Sequence, residues 1–383
     1  MAYDEAEAAV RSLMDRAADE ETGPVQVALL EQAVRMADTH GHVPLGFESR
    51  LALVRAAVFA EEPEKPLAPF AWCLAQCDRD PVTYPESRLL WEFKWVVDNA
   101  KNVARVPMTG LLAMVDDMER RYRRNGGGVR AANKSRVELA MFRGLRDEAR
   151  EHYRRWDASP RDRFADCRAC EQNKRVEFLA FDLQDEAALA AAAPILAGRM
   201  RCAEVPLATY RHVLLPLLRL GRVAEAMTYH NKAHRLIARK PMYVEDAADH
   251  LRFLALTGNF PRALKLLETH LPWPRSELAL LRAHRFDFAL SARFLLGLVA
   301  AARNGKPVSL RLPKEFPLHA ESGRYDPATL SSFFADEAAR LASIFDARNG
   351  TTHFADRIAS DGQFAALMTP CPLRPAPPGV DPE

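Results

Sequence analysis

Small residues recur along this chain at a nearly constant interval, and that interval limits what it can fold into. Gly144, Ala149 and Tyr153 set a register that returns as Gly221, Ala226 and His230, and again as Gly258, Ala263 and Leu267. A weaker copy, Gln184-Asp185-Glu186-Ala187, fills the gap. The anchor alanines then stand at 149, 187, 226 and 263, separated by 38, 39 and 37 residues. Ala28, Ala68 and Gly110 continue the series backwards at intervals of 39, 42 and 40. Two amphipathic helical patterns fill each interval, so the period predicts an all-α solenoid of stacked helix-turn-helix units. An alanine at the anchor lets the two helices of a hairpin approach closely. Gly144, Gly221 and Gly258 fall between paired helices, where the chain needs a left-handed residue to turn.

The chain has 383 residues, of which 53 are basic and 51 acidic, so no global field draws it to nucleic acid or to an anionic membrane. The N-terminus, Met1-Ala2-Tyr3-Asp4-Glu5, is acidic and has no apolar signal core. The longest apolar run, Phe288 to Ala302, is interrupted by Arg293 and is shorter than the roughly 20 residues a bilayer requires, so it reads as a buried helix. Six cysteines in a chain of this length are too sparse for a disulfide framework and are expected to be reduced thiols in a cytoplasmic protein.

The stretch Leu217-x2-Leu220-Gly221-Arg222-Val223-Ala224-Glu225-Ala226-x3-His230-x2-Ala233 resembles the second half of a tetratricopeptide repeat. Leu256-Thr257-Gly258-Asn259-Phe260-Pro261-Arg262-Ala263 and Phe142-Arg143-Gly144-x4-Ala149-x3-Tyr153 are similar to it in the same way. The repeat of that family is about 34 residues long. The longer period here implies extended helices or loops, as in long-period repeat proteins of actinobacterial type. The resemblance covers residues 25–272 and implies a right-handed superhelix whose inner helices line a concave groove for a protein or peptide, as in an adaptor or scaffold. Counting back fifteen residues from each anchor gives Lys134, Gln172, Arg211 and Ala248, and eleven gives Glu138, Val176, Leu215 and Arg252. With neighbouring Asn173, this surface reads as mixed and slightly basic, suited to a peptide whose backbone or acidic groups meet Asn and Arg donors. Trp91 and Trp95 project from the opposite side of their helix to Leu89, Phe93, Val96 and Val97, and read either as core or as a ligand-facing pair.

Beyond residue 272 the pattern changes. A helical stretch from Arg275 to Asn304 precedes residues 305–325, where Val308-Ser309-Leu310-Arg311-Leu312 alternates apolar with polar and predicts an extended piece or a plain connecting loop. Asp326-Pro327 opens a further helix that Asn349-Gly350 closes. Residues 273–367 therefore read as a helical cap, and 368–383, rich in proline, as an unstructured tail.

Cys167-Arg168-Ala169-Cys170 and Cys202 form a C-x2-C-x31-C set at the starts of two successive repeats. Stacking would bring them together as ligands of structural zinc, with His212, Asp166 or water as the fourth. A redox pair or inert buried thiols are the alternatives. Cys73 and Cys77 share a helix face with Phe70, Trp72 and Leu74 around them and read as packing. His230 and His234 share a face with no third ligand in view and read as solvated or hydrogen-bonded. The one dense basic run is Arg120-Arg121-Tyr122-Arg123-Arg124, then Gly126-Gly127-Gly128, Arg130, Lys134 and Arg136. It could hold phosphates as a nucleic-acid regulator does, but Asp116, Asp117 and Glu119 precede it, and the glycines lack the Lys-Ser/Thr ending of a phosphate loop. No G-x-S-x-G, H-E-x-x-H or dinucleotide fingerprint occurs, so no catalytic motif argues for an enzyme.

Overall fold

The computed structural model describes residues 2–60, 62–238, 240, 243–271 and 283–373. Among these the chain is all-α, with seventeen α-helices and a single pair of two-residue strands. Within each of its two compact units consecutive helices pack against their neighbours, as in a helical repeat array. Contacts divide the chain into two compact units, Met1–Ala165 and Asp166–Glu383. The boundary expected at 272/273 lies among residues outside the description.

Four helical hairpins carry the register: α7 (Arg130–Phe142) with α8 (Arg146–Ala158), α9 (Arg168–Phe181) with α10 (Asp185–Leu196), α11 (Leu207–Arg219) with α12 (Val223–Ile237), and α13 (Val244–Leu256) with α14 (Phe260–His270). Gly144, Gly221 and Gly258 turn the chain with φ of 73°, 72° and 73°. In each case the next amide reaches back to a carbonyl five residues earlier: Leu145 to Ala140, Arg222 to Leu217, Asn259 to Leu254. This bond satisfies a carbonyl that the helix end would otherwise leave open. The second hairpin makes the same bond, Gln184 N–H to the Leu179 carbonyl at 2.9 Å, but its left-handed residue is Leu183, φ 60°.

That leucine moves the anchor by one position. Ala187 is exposed, whereas Ala188 is fully buried like Ala149, Ala226 and Ala263. The corrected spacings are 39, 38 and 37. Counting back from Ala188 replaces Gln172 and Val176 on the inner face with Asn173 and Glu177. Gln172 instead donates to the Ala191 carbonyl at 2.7 Å, and Val176 is core.

Before α7 the first unit does not continue the register. Ala28 and Ala68 are exposed, and a methyl on Gly110 would touch only its own Pro107. Its core is organised instead around α5 (Leu90–Ala100), with Leu90, Phe93, Val96 and Val97 packed against α3 (Val43–Phe59), α6 (Met108–Arg124) and α7. Gly127 lies under the Phe164 ring, where a Cβ would come within 2.4 Å of the ring. Gly127 is therefore explained by close packing, and Gly126, φ 72°, by its left-handed backbone.

In the second unit α13 packs against α11 on one side and α15 (Ala283–Arg303) on the other, and α15 packs in turn on α16 (Pro327–Asn349). The apolar run from Phe288 thus forms a core helix. No helix among the described residues is long and apolar enough to cross a membrane. Val308, Leu310 and Leu312 are buried and alternate with exposed Ser309 and Arg311; Val308–Ser309 (β1) pairs antiparallel with Arg324–Tyr325 (β2). Asp326 caps α16 by accepting from the Ala328 and Thr329 amides, and Gly350, φ 66°, ends it. Then follow α17 (His353–Ser360) and a 3₁₀ segment, Asp361–Leu367.

Candidate peptide surface and candidate metal centre

The inner helices of the second unit, α9, α11 and α13, place Arg211 in a recess of carboxylates. Its guanidinium is 2.7 Å from Glu245 and 3.8 Å from both Asp246 and Asp249, all on the first turns of α13. Beside it Glu177 pairs with Lys174 at 2.5 Å and faces His212 at 3.8 Å. Burial opposes the charge on Glu177, but Lys174, His212 and Arg211 outweigh it and hold the carboxyl well below its usual range. Burial, reinforced by Arg211, pulls His212 down to about 3, so the ring is neutral near pH 7. Asp246 is pushed up to about 6, first by burial and then by neighbouring carboxylates, with Arg211 opposing. Three polar atoms here are buried and have no hydrogen-bond partner: Arg211 Nε, His212 Nε2 and Asp246 Oδ1. The expectation of a slightly basic surface is corrected at this point, because four carboxylates surround one arginine and one lysine.

Arg252, on the same face of α13, is not open to a ligand. Its guanidinium is 2.5 Å from Asp361, lies 4.5 Å from the Phe364 ring centre and 5.3 Å from that of Phe294, and is buried. The segment that covers it continues as an ordered strap. Thr369 and Cys371 donate to the carbonyls of Leu256 and Thr257 at 3.0 and 3.1 Å. Asn259 donates to the Cys371 carbonyl at 2.9 Å and accepts from the Leu373 amide at 3.0 Å. The part of the expected unstructured tail from Met368 to Leu373 is thus held in place. The proline-rich remainder lies outside the described residues.

Asn173 is also internal, its Oδ1 accepting from the buried Thr209 hydroxyl at 2.7 Å. In the first unit Lys134 pairs with Glu138 at 3.4 Å and is largely covered. Trp91 is 39 % exposed but carries the Lys94 ammonium 3.4 Å over its ring, while half-buried Trp95 packs edge-on against Phe59. The basic run is neutralised locally. Arg121 meets Asp78, Glu86 and Asp117, Arg123 meets Glu119, Arg124 meets Glu86, and Arg136 meets Asp116 and Glu119. Arg130 donates to the Trp156 and Ser159 carbonyls.

Cys167, Cys170 and Cys202 converge, with their sulfurs all within 4.8 Å of one another, and the cluster could hold a metal ion. Cys167 is the N-cap of α9, and its sulfur accepts the Cys170 amide at 3.3 Å. Burial opposes ionisation of Cys167, but the Cys170 amide, the two neighbouring thiols and the Ala169 amide outweigh it and lower its pKa. Cys170 is shifted the other way by burial and by the Cys202 and Cys167 thiols. His212, expected as a fourth ligand, lies instead against Glu177. Cys73 and Cys77 are buried thiols that burial pushes up to about 12 and about 11, as packing residues should be. His230 is fully buried and sits Nδ1 to Nδ1, 2.9 Å, with buried His250, so it belongs to the core of α12 and α13.

Compared with known proteins, the chain matches no family model and no curated protein sequence.

Sequence reasoning missed Glu177, Glu245, Asp246, Asp249 and Asp361. Glu177 follows from the register once Ala188 is the anchor. Glu245-Asp246-x2-Asp249 reads in isolation as the acidic first turn that any helix favours. Asp361 has no local signal, because it is 109 residues from its partner.

Proposed function

We propose that this chain is a tetratricopeptide-like adaptor or scaffold in the cytoplasm that binds a peptide segment of another protein on the inner helices α9, α11 and α13. The observation that carries this reading is the trio of buried polar atoms in the Arg211 recess that make no hydrogen bond, their nearest charged neighbours standing 3.8 Å away. Such atoms are costly unless a partner completes them. Their neighbours Glu245 and Asp249 keep 57 % and 43 % of their side chains exposed and accessible to a ligand. The surplus of carboxylates selects a basic side chain, while Arg211 Nε and His212 Nε2 suit the carbonyl and amide groups of the peptide backbone. A nucleic-acid reading has no comparable support, since the arginines of the 120–136 run already have acidic or carbonyl partners. In the same reading the ion at Cys167, Cys170 and Cys202 is zinc, a borderline-soft metal that thiolates hold well, tying α9 to the loop before α11.

An array of short random peptides probed with the full chain tests this. Peptides containing Lys or Arg are expected to be retained preferentially, and Glu245→Lys with Asp249→Lys should weaken them at least about tenfold at an unchanged fold. Retention without basic preference, or binding untouched by the double reversal, would remove the recess as the site.

A further inference from the structure

The three-cysteine cluster offers one ligand fewer than a closed structural zinc site. A tetrahedral zinc with Zn–S near 2.3 Å needs sulfurs roughly 3.8 Å apart. Here Cys170 and Cys202 are 3.3 Å apart and all three lie within 4.8 Å, so shifts of under about 1 Å complete the set. The scaffold around them is built. Cys167 and Cys170 stand at the N-cap and first turn of α9, and Cys202 is held on its loop by its amide bond to the Val205 carbonyl at 3.0 Å. Ala169, Ile195 and Val205 form a dry floor, with Met200 against them. The Cys170 amide already points at the Cys167 sulfur, the outer-shell bond that orients a thiolate ligand.

Among the described residues no fourth histidine, cysteine or carboxylate lies within 4.8 Å of all three. Cys167 is exposed, and Cys202 borders a cleft of about 510 Å³ whose lining includes Tyr210, Arg201 and Lys232. Closed sites use four protein ligands, whereas three ligands beside an opening is the arrangement that keeps a position for water or substrate. We propose that Cys167, Cys170 and Cys202 bind one zinc ion whose fourth position is open to a small anionic donor entering from the Arg201–Lys232 cleft. This rests on reading the cluster as a zinc site.

Cobalt(II) added to the full, reduced chain separates the two claims. One cobalt per chain is expected, with a thiolate-to-cobalt charge-transfer band. Cys202→Ser should weaken binding by at least about 100-fold, given that loss of even an outer partner costs 10–100-fold. Azide should then shift the visible bands saturably, with Asp166→Asn and His212→Gln leaving the azide-free spectrum unchanged. No stoichiometric cobalt, or a band that survives Cys202→Ser, overturns the zinc reading and this proposal with it. A charge-transfer band with visible bands that azide does not move, or that either control variant alters, leaves the zinc reading intact and overturns the open position.

Discussion

Arg211 and Arg252 occupy the same inner face on successive inner helices, yet they do different work. Around Arg252 the chain supplies its own partner, and Asp361, Phe294 and Phe364 seal the guanidinium away from water. Around Arg211 it supplies carboxylates that remain half open and buried polar atoms that make no hydrogen bond. Periodic position therefore tells which face a residue is on, but not whether that face is a surface. A segment more than a hundred residues away decides the second question.

The sharpest way to break the comparison is to truncate each arginine. Arg252→Ala leaves the buried Asp361 side chain with Arg293, at 3.7 Å, as its remaining cation among the described residues, and is expected to cost about 3–5 kcal/mol in urea unfolding. Arg211→Ala leaves Glu245 and Asp249, whose side chains are 57 % and 43 % exposed and within reach of water, and should cost less than Arg252→Ala does. Similar losses for the two variants would mean that the recess is as structural as the sealed site.

A pH series sharpens the contrast further. Burial and the neighbouring carboxylates push Asp246, 15 % exposed, up from 3.8 to about 6 against the pull of Arg211, so the folded state holds its proton where the unfolded state has lost it. Its contribution to stability is present below about pH 4 and lost as the pH rises through 6. Asp246→Asn should therefore melt higher than the parent at pH 8, with the advantage vanishing near pH 4. His212 and His250 run the opposite way. Both are lowered from 6.5 to about 3, chiefly by burial, so their contribution is present above 6.5 and lost as the pH falls toward 3 in parent and variant alike. An Asp246→Asn advantage that did not change with pH would show that the carboxylate is not strained by its surroundings.

How far the sequence could be read follows the range of the interactions. The glycine turns, the Asp326 cap, the alternation at Val308–Leu312 and the convergence of Cys167, Cys170 and Cys202 are set by neighbours within a repeat or by the stacking of adjacent ones, and each was legible. The Arg252–Asp361 pair was not, because no periodicity links residues 109 apart. Ala28, Ala68 and Gly110 misled for another reason. Alanine and glycine are common enough to fall near any chosen interval, and in the first unit the close-packed positions are held by other residues, such as Ala33 and Ala57.

The misplaced anchor at Ala187 has a cause that can be tested. Leu183 takes the left-handed turn that glycine takes in the three companion hairpins, and with no glycine to mark the turn the count slips by one. A left-handed backbone costs a branched side chain about 1 kcal/mol. With 57 % of Leu183 exposed, burial returns little of that. Leu183→Asn, which tolerates the conformation without the full entropy cost of glycine in the unfolded chain, should stabilise the second unit by up to about 1 kcal/mol. Gly221→Leu, the reverse change at the equivalent turn, should destabilise by a similar amount. Were Leu183→Asn to destabilise instead, the leucine side chain would hold the α9–α10 turn. The register that places Glu177 beside Arg211 would then depend on that contact rather than on the helix-ending bond from Gln184 to Leu179.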